Sequence, residues 1–151
     1  MVKAIIFDWG RTLYDSEQDA LFPAVPTLLA ELSQCYILAI VSLVSGAYAP
    51  RVAARRATIT EADIGRFFTA IAFVPDDKEG AYRDVLARLA LSATDVAIVD
   101  DRMRRGIAWG NAHGATTIWL QRGRFAAEFP DAVTGPPTHI IGAIEELTTV
   151  L

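Results

Sequence analysis

Cysteine is nearly absent from this 151-residue chain. Cys35 stands alone, so no disulfide can form within it. Its place just before an apolar segment predicts a small packed hydrophobe rather than a reactive thiol. Lysine is almost as scarce, with Lys3 and Lys78 the only two. Basic charge is not in excess: 14 basic residues face 18 acidic ones, for a net charge of −4. Such a balance carries no nucleic-acid footprint, although small anionic substrates stay open to it because local charge decides their binding. No apolar run approaches the ~18 residues of a membrane span, so no membrane partner is expected. Asp8 interrupts the first apolar stretch too early for the core of a signal peptide. The expected location is the cytoplasm. No internal repeat is visible.

What is present is an alternation of apolar segments and breakers. Hydrophobic residues make up 52% of the chain, which at this length suits one domain over residues 1–151 that buries roughly 70% of its unfolded surface. Strands are expected at Val2–Phe7, Tyr36–Val41, Ala70–Val74, Val96–Val99, Ala115–Leu120 and Thr138–Ile141. Helical spacing marks Phe22–Leu32, Ala81–Leu89, Met103–His113 and Ile144–Leu151. Ala49–Ala57 and Thr60–Phe68 are polar–apolar mixtures that read as two helices, the second opened by Thr60 with Asp63 in a capping box. Pro130–Pro137 reads as a surface connection. Strands alternating with helices predict an α/β fold: a three-layer sandwich around a Rossmann-like parallel sheet with right-handed crossovers.

Four polar positions fall at or soon after successive strands: Asp8, Ser42, Lys78 and the pair Asp100–Asp101. In a parallel sheet all carboxyl ends lie along one edge, so these side chains can converge. A carboxylate, a hydroxyl, an ammonium and further carboxylates suit phosphoryl transfer, which needs positioning and charge neutralisation above all. Two carboxylates with a phosphate oxygen and waters can hold Mg²⁺. Taken singly, each residue has a plainer role: a turn hydrogen bond for Ser42, a solvated ammonium for Lys78, a helix N-cap for Asp101.

The run Asp8-Trp9-Gly10-Arg11-Thr12-Leu13 resembles the first motif of the haloacid dehalogenase-like (HAD) hydrolases, Asp-x-Asp-x-Thr-Leu. The order Asp, Ser, Lys, acidic pair is the order of that superfamily's four motifs, and the likeness covers nearly the whole chain. A response-regulator receiver domain has a similar layout but would place its phospho-accepting Asp after the third strand, where Phe73-Val74-Pro75 stands. The resemblance implies a HAD-like core and a Mg²⁺-dependent phosphomonoesterase working through an aspartyl-phosphate on Asp8. It implies Ser42 and Lys78 as the residues that hold and neutralise the phosphoryl group. The metal ligands would be Asp8, the Gly10 carbonyl and Asp101, with Asp100 as a substitute. Thr12, Arg11 and Arg102 are the expected substrate contacts.

Three departures from the family pattern stand out. Gly10 replaces the second Asp of the first motif, the residue that protonates the leaving group and then activates water. Gly106 stands where a further acid is expected five positions after Asp101, and Lys78 is followed by Glu79 rather than proline. The intervals Asp8–Ser42 and Ser42–Lys78 are filled by core elements, which leaves no room for a cap domain. An uncapped site can admit a bulky phosphorylated substrate. Gly10 also opens an alternative: a catalytically impaired relative that binds Mg²⁺ and an anionic ligand or protein partner. The oligomeric state is not set by any of these features.

Overall fold

Strand β1 (Ala4–Phe7) consists of four apolar residues, all fully buried. Their side chains alternate between the two faces of the sheet. Ile5 and Phe7 enter one hydrophobic core, and Ala4 and Ile6 enter the other. The computed structural model describes residues 1–151, and β1 lies at the middle of its main sheet. The sheet's other strands are β4 (Ile37–Leu43), β5 (Phe68–Val74), β6 (Val96–Asp100), β7 (Thr116–Leu120) and β8 (His139–Ile141). All pair in parallel, in the order β5-β4-β1-β6-β7-β8. A short hairpin, β2 (Tyr14–Asp15) with β3 (Ala20–Leu21), follows the first strand.

Helices cover both faces. On one, α1 (Val25–Leu32) buries Val25, Leu28, Leu29 and Leu32, and α5 (Leu147–Val150) adds Leu147. Pro26 sits in the first turn of α1, where its missing N–H removes no helical bond. On the other face α3 (Glu79–Leu89) buries Ala81, Tyr82, Val85 and Leu86, with α4 (Ala108–His113) beside it. This is the expected three-layer α/β sandwich. No helix is long and apolar enough to cross a membrane.

Some expectations need correction. Ala49–Ala57 and Thr60–Phe68 are not two helices: α2 runs unbroken from Tyr48 to Glu61. The Thr58 and Thr60 hydroxyls bond back to the carbonyls of Ala54 and Arg56, so both threonines stay inside the helix. Asp63 adopts φ 53° after the helix end and pairs with Arg66, so it caps nothing. Only a short 3-10 turn, Gly65–Phe67, precedes β5. Ser42 lies within β4 rather than after it, because the strand continues to Leu43 opposite Val74. Cys35 is exposed in the turn between α1 and β4, not packed. The helix expected over Met103–His113 opens with a π-helical turn, Met103–Ile107, before α4. There the Gly106 N–H turns to the Asp100 carboxylate at 3.1 Å, so a side chain enters the helical ladder.

Candidate active site

The sheet order reverses at β1: β4 lies on one side and β6, from much later in the chain, on the other. Open α/β sheets bind ligands at such a switch point, outside the carboxyl ends of the strands. The register does the rest. Phe7 pairs with Val99, so Asp8 and Asp100 leave adjacent strands at the same level. Phe7 also pairs with Ile40, which sets Ser42 one step further along β4 than Asp8 is along β1.

Lys78 comes from the loop before α3 and joins these carboxylates. Its Nζ donates to Asp8 Oδ1 and to Asp100 Oδ2, both at 2.7 Å. All three side chains are buried. Burial alone would lower the Lys78 ammonium, but Asp100 and Asp8 reverse that and hold it charged, well above the ordinary lysine range. Losing Lys78 would cost about 3–5 kcal/mol, because the buried carboxylates it bridges would be left uncompensated.

Asp100 is fully engaged. Besides Lys78 it accepts the N–H groups of Arg102 at 2.9 Å and Gly106 at 3.1 Å. Asp101 is the opposite case: its Oδ2 is buried and has no hydrogen-bond partner. Burial, with Asp100 and Asp8 alongside, pushes the Asp101 carboxyl up to about 8. Oxygens of Asp8, Asp100 and Asp101 lie within 4.8 Å of one another. Three carboxylates this close, one with a free buried oxygen and with Lys78 as their ion-pair partner, form an oxygen-donor set suited to a hard divalent cation. The Gly10 carbonyl, two residues after Asp8, accepts no backbone hydrogen bond.

Gly106 has a steric reason to be glycine. A Cβ there would meet Asp100 Oδ2 at 2.4 Å and the Tyr82 hydroxyl at 2.8 Å. Gly106→Ala is therefore expected to displace the carboxylate that anchors Lys78 and to destabilise the protein by about 1–3 kcal/mol, measured by urea unfolding. Unchanged stability in that variant would mean that the π-helical turn yields freely.

The remaining expected residues are placed as follows. Ser42 is buried, and its Oγ accepts a hydrogen bond from Arg55 Nη1 at 2.9 Å. Its own proton is thereby free for another acceptor. Thr12 is fully buried with an unpartnered hydroxyl, and Arg11 has a buried, unpartnered Nε. Arg11 adopts φ 59°, a conformation that non-glycine residues seldom keep without cause. Arg102 pairs with Glu128 through Nε and Nη2 and lies over the Phe125 ring, which leaves Nη1 for any other contact. Arg104 pairs with Asp131. These two ion pairs tie the turn after Asp101 to the loop between β7 and β8.

Two residues of the site escaped the sequence analysis. Tyr82 could be read only as part of an apolar helix face, yet its hydroxyl stands beside Lys78 and Asp100. Arg55 carries no motif signal at all. Burial lowers its guanidinium below the ordinary range, the Asp8 charge raises it, and the neighbouring Arg51 lowers it again.

Comparison with solved structures supports the architecture. A HAD phosphatase from Thermococcus onnurineus superposes with a TM-score of 0.73 at 13% identity, over 99% of this chain and 97% of that one. A haloacid dehalogenase-like hydrolase from Streptococcus pneumoniae gives 0.72 at 15%, over 99% and 98%. The HAD-hydrolase YfnB of Bacillus subtilis, bound to magnesium, gives 0.68 at 22%, over 87% of this chain but 56% of that one. At these identities the likeness establishes the fold. No curated protein matches the chain. Residues 1–124 match the family model described as mitochondrial PGP phosphatase, and with its motif order and fold this chain belongs to that family, within the HAD superfamily.

Proposed function

We propose that the protein is a Mg²⁺-dependent phosphomonoesterase that works through an aspartyl-phosphate on Asp8. The observation that carries this reading is the buried Lys78 bridge between Asp8 and Asp100, set beside the free carboxylate oxygen of Asp101. Magnesium, held by Asp8, Asp101 and the Gly10 carbonyl, would neutralise charge on the phosphoryl oxygens. Lys78 adds positive charge on the same group and holds the Asp8 carboxylate in place through its hydrogen bond. Ser42 donates its hydroxyl proton to a phosphoryl oxygen, with Arg55 fixing the hydroxyl from behind. Arg11, Thr12 and the free edge of Arg102 are proposed substrate contacts.

In the first step the Asp8 carboxylate attacks phosphorus. The bond to the ester oxygen breaks, and that oxygen leaves with the electron pair. In the second step water attacks the same phosphorus, and Asp8 leaves as a carboxylate. Gly10 offers no proton to the departing oxygen and no base to the water, so both protons are exchanged with solvent. The same glycine favours a second reading, a catalytically impaired member that binds Mg²⁺ and an anionic ligand or protein partner. Turnover of an aryl phosphate with and without Mg²⁺ separates the two.

Only the β2–β3 hairpin and α1 fill the interval from Asp8 to β4, and only α2, the 3-10 turn and β5 fill that from Ser42 to Lys78. We therefore keep the site uncapped and open to a bulky phosphoester. The cytoplasmic expectation stays a proposal beside a family name that carries the word mitochondrial.

The metal reading has a test independent of turnover. At about 100 times its Kd, Mg²⁺ is expected to add about 2.7 kcal/mol of stability, or about 5–10 °C in Tm for a chain of this size. Asp101→Ala should melt at the same temperature with and without the ion. A parent melting curve indifferent to millimolar Mg²⁺ would remove the site as drawn.

A further inference from the structure

Asp101 Oδ2 is buried and accepts no hydrogen bond. The direction of this carboxylate therefore depends on the backbone that carries it. Three contacts hold that backbone, and two of them come from later in the chain. The Trp119 indole N–H, on β7, donates to the Asp101 carbonyl at 3.0 Å. The Arg102 N–H donates to Asp100 Oδ1 at 2.9 Å. The third contact is Glu128, from the loop between β7 and β8. Its Oε2 accepts the Met103 N–H at 3.0 Å, and its Oε1 lies 2.7 Å from both Nε and Nη2 of Arg102. One carboxylate thus spans the two residues that follow Asp101. Met103 opens the π-helical turn, where its N–H has no partner within the helix. Phe125 closes the flat side of Arg102, its ring centroid 3.7 Å from the guanidinium carbon. The pair is sheltered: the Arg102 and Glu128 side chains are 18% and 16% exposed. The other tie between these segments, Arg104 with Asp131, is an open surface pair at 69% and 38%, and such pairs hold little.

We infer that Glu128 is a positioning residue: it clamps the turn through Arg102 and Met103 and thereby aims the Asp101 carboxylate at the metal. The inference rests on the metal reading above and adds a residue that lies outside the four motifs. A ligand free to swing must be ordered when an ion binds, and that ordering subtracts from affinity. A clamped turn has lost the freedom before the ion arrives. Groups that orient a metal's ligands are typically worth about 10–100-fold in affinity. The size of the effect depends on the ion. Mg²⁺ demands near-ideal octahedral geometry, whereas Ca²⁺ accepts longer and less regular ligand sets. A loosened Asp101 therefore penalises Mg²⁺ more than Ca²⁺. Simple loss of a negative charge near the site would weaken both ions alike. The clamp needs both carboxylate oxygens, because its two partners are both donors. Glutamine offers one acceptor oxygen in their place. Aspartate keeps the charge but is one methylene too short to span the pair.

The experiment measures Mg²⁺ and Ca²⁺ binding by calorimetry in the parent, Glu128→Gln, Glu128→Asp and Arg104→Gln, each first checked for an intact fold by circular dichroism. In both Glu128 variants the Mg²⁺ Kd should rise about tenfold or more, while the Ca²⁺ Kd moves by less than about threefold. Arg104→Gln breaks only the exposed tie and should keep both constants within about twofold of the parent. If the glutamine variant fails to fold, the aspartate variant decides by the same measurement. Four results would each overturn the positioning role. One is an Mg²⁺ affinity that survives Glu128→Gln. Another is an equal loss for both ions, which would mean charge alone. The third is an aspartate variant that binds Mg²⁺ as the parent does. The fourth is an equal loss in Arg104→Gln, which would mean that any tie to the loop serves. The two readings fail separately. A parent that binds Mg²⁺ no more tightly than its Glu128 variants sinks the positioning role alone. A parent that binds no Mg²⁺ sinks the metal reading, and the positioning role with it.

Discussion

Asp8→Asn is expected to lower turnover of an aryl phosphate by about 10⁴-fold or more, the scale of losing a covalent nucleophile, while the variant still unfolds cooperatively. The amide has nearly the same shape as the carboxylate, and its oxygen can still accept from Lys78. It cannot form the acyl-phosphate. The substitution leaves Lys78 paired with Asp100 and relieves a crowded group of acidic side chains, so no large loss of stability should accompany the loss of rate. The parent should bind beryllium fluoride with Mg²⁺ present, because that complex mimics the phosphoryl group on a carboxylate, and the amide variant should not. Equal binding of the mimic by both proteins would show that Asp8 is not the acceptor.

Gly10→Asp should act in the other direction. A positioned general acid–base is typically worth about 10²–10⁴-fold. The parent should therefore hydrolyse aryl phosphates, whose leaving groups need little protonation, far better than alkyl phosphates. Restoring a carboxylate at position 10 should speed the alkyl ester most. The backbone permits it: Gly10 is not among the glycines with positive φ. A Cβ there would meet only the Ser16 hydroxyl, at an ordinary contact distance of 3.8 Å. With that much room for the side chain, circular dichroism should match the parent. A folded variant with no gain on either ester would mean that proton transfer is not the missing element, and the binding-protein reading would lead.

The layout of the fold could be read from the sequence because each main strand is a short apolar run with a breaker after it. Asp8, Lys78, Asp100 and Asp101 were readable for a related reason. Strand ends are fixed by local pattern, and parallel pairing brings those ends together. What stayed hidden depended on contacts between segments distant in the chain. Arg55 reaches Ser42 from a helix that presents most of its surface to solvent. The π-helical turn exists because Asp100 captures the Gly106 N–H, and nothing in the run Met103–Ile107 announces that. Local pattern also misled where threonine hydroxyls bonded inside α2 rather than capping a new helix. Cys35 is exposed because the segment it precedes begins its strand two residues later, at Ile37.

The position of β1 also governs how the molecule forms. Ala4 pairs with Ile37 on one side and with Val96 on the other, so the strand that leads into Asp8 is incomplete until both partners exist. At about 5–20 residues per second of synthesis, β1 waits several seconds on the ribosome before β6 emerges to close its second edge. Loop closure over that span precedes any reward from the pairing. Refolding from denaturant should accordingly be slow, in the millisecond-to-second range of non-local topologies. Catalytic competence should return in the last phase, together with burial of Lys78, and not with the first gain of helical signal.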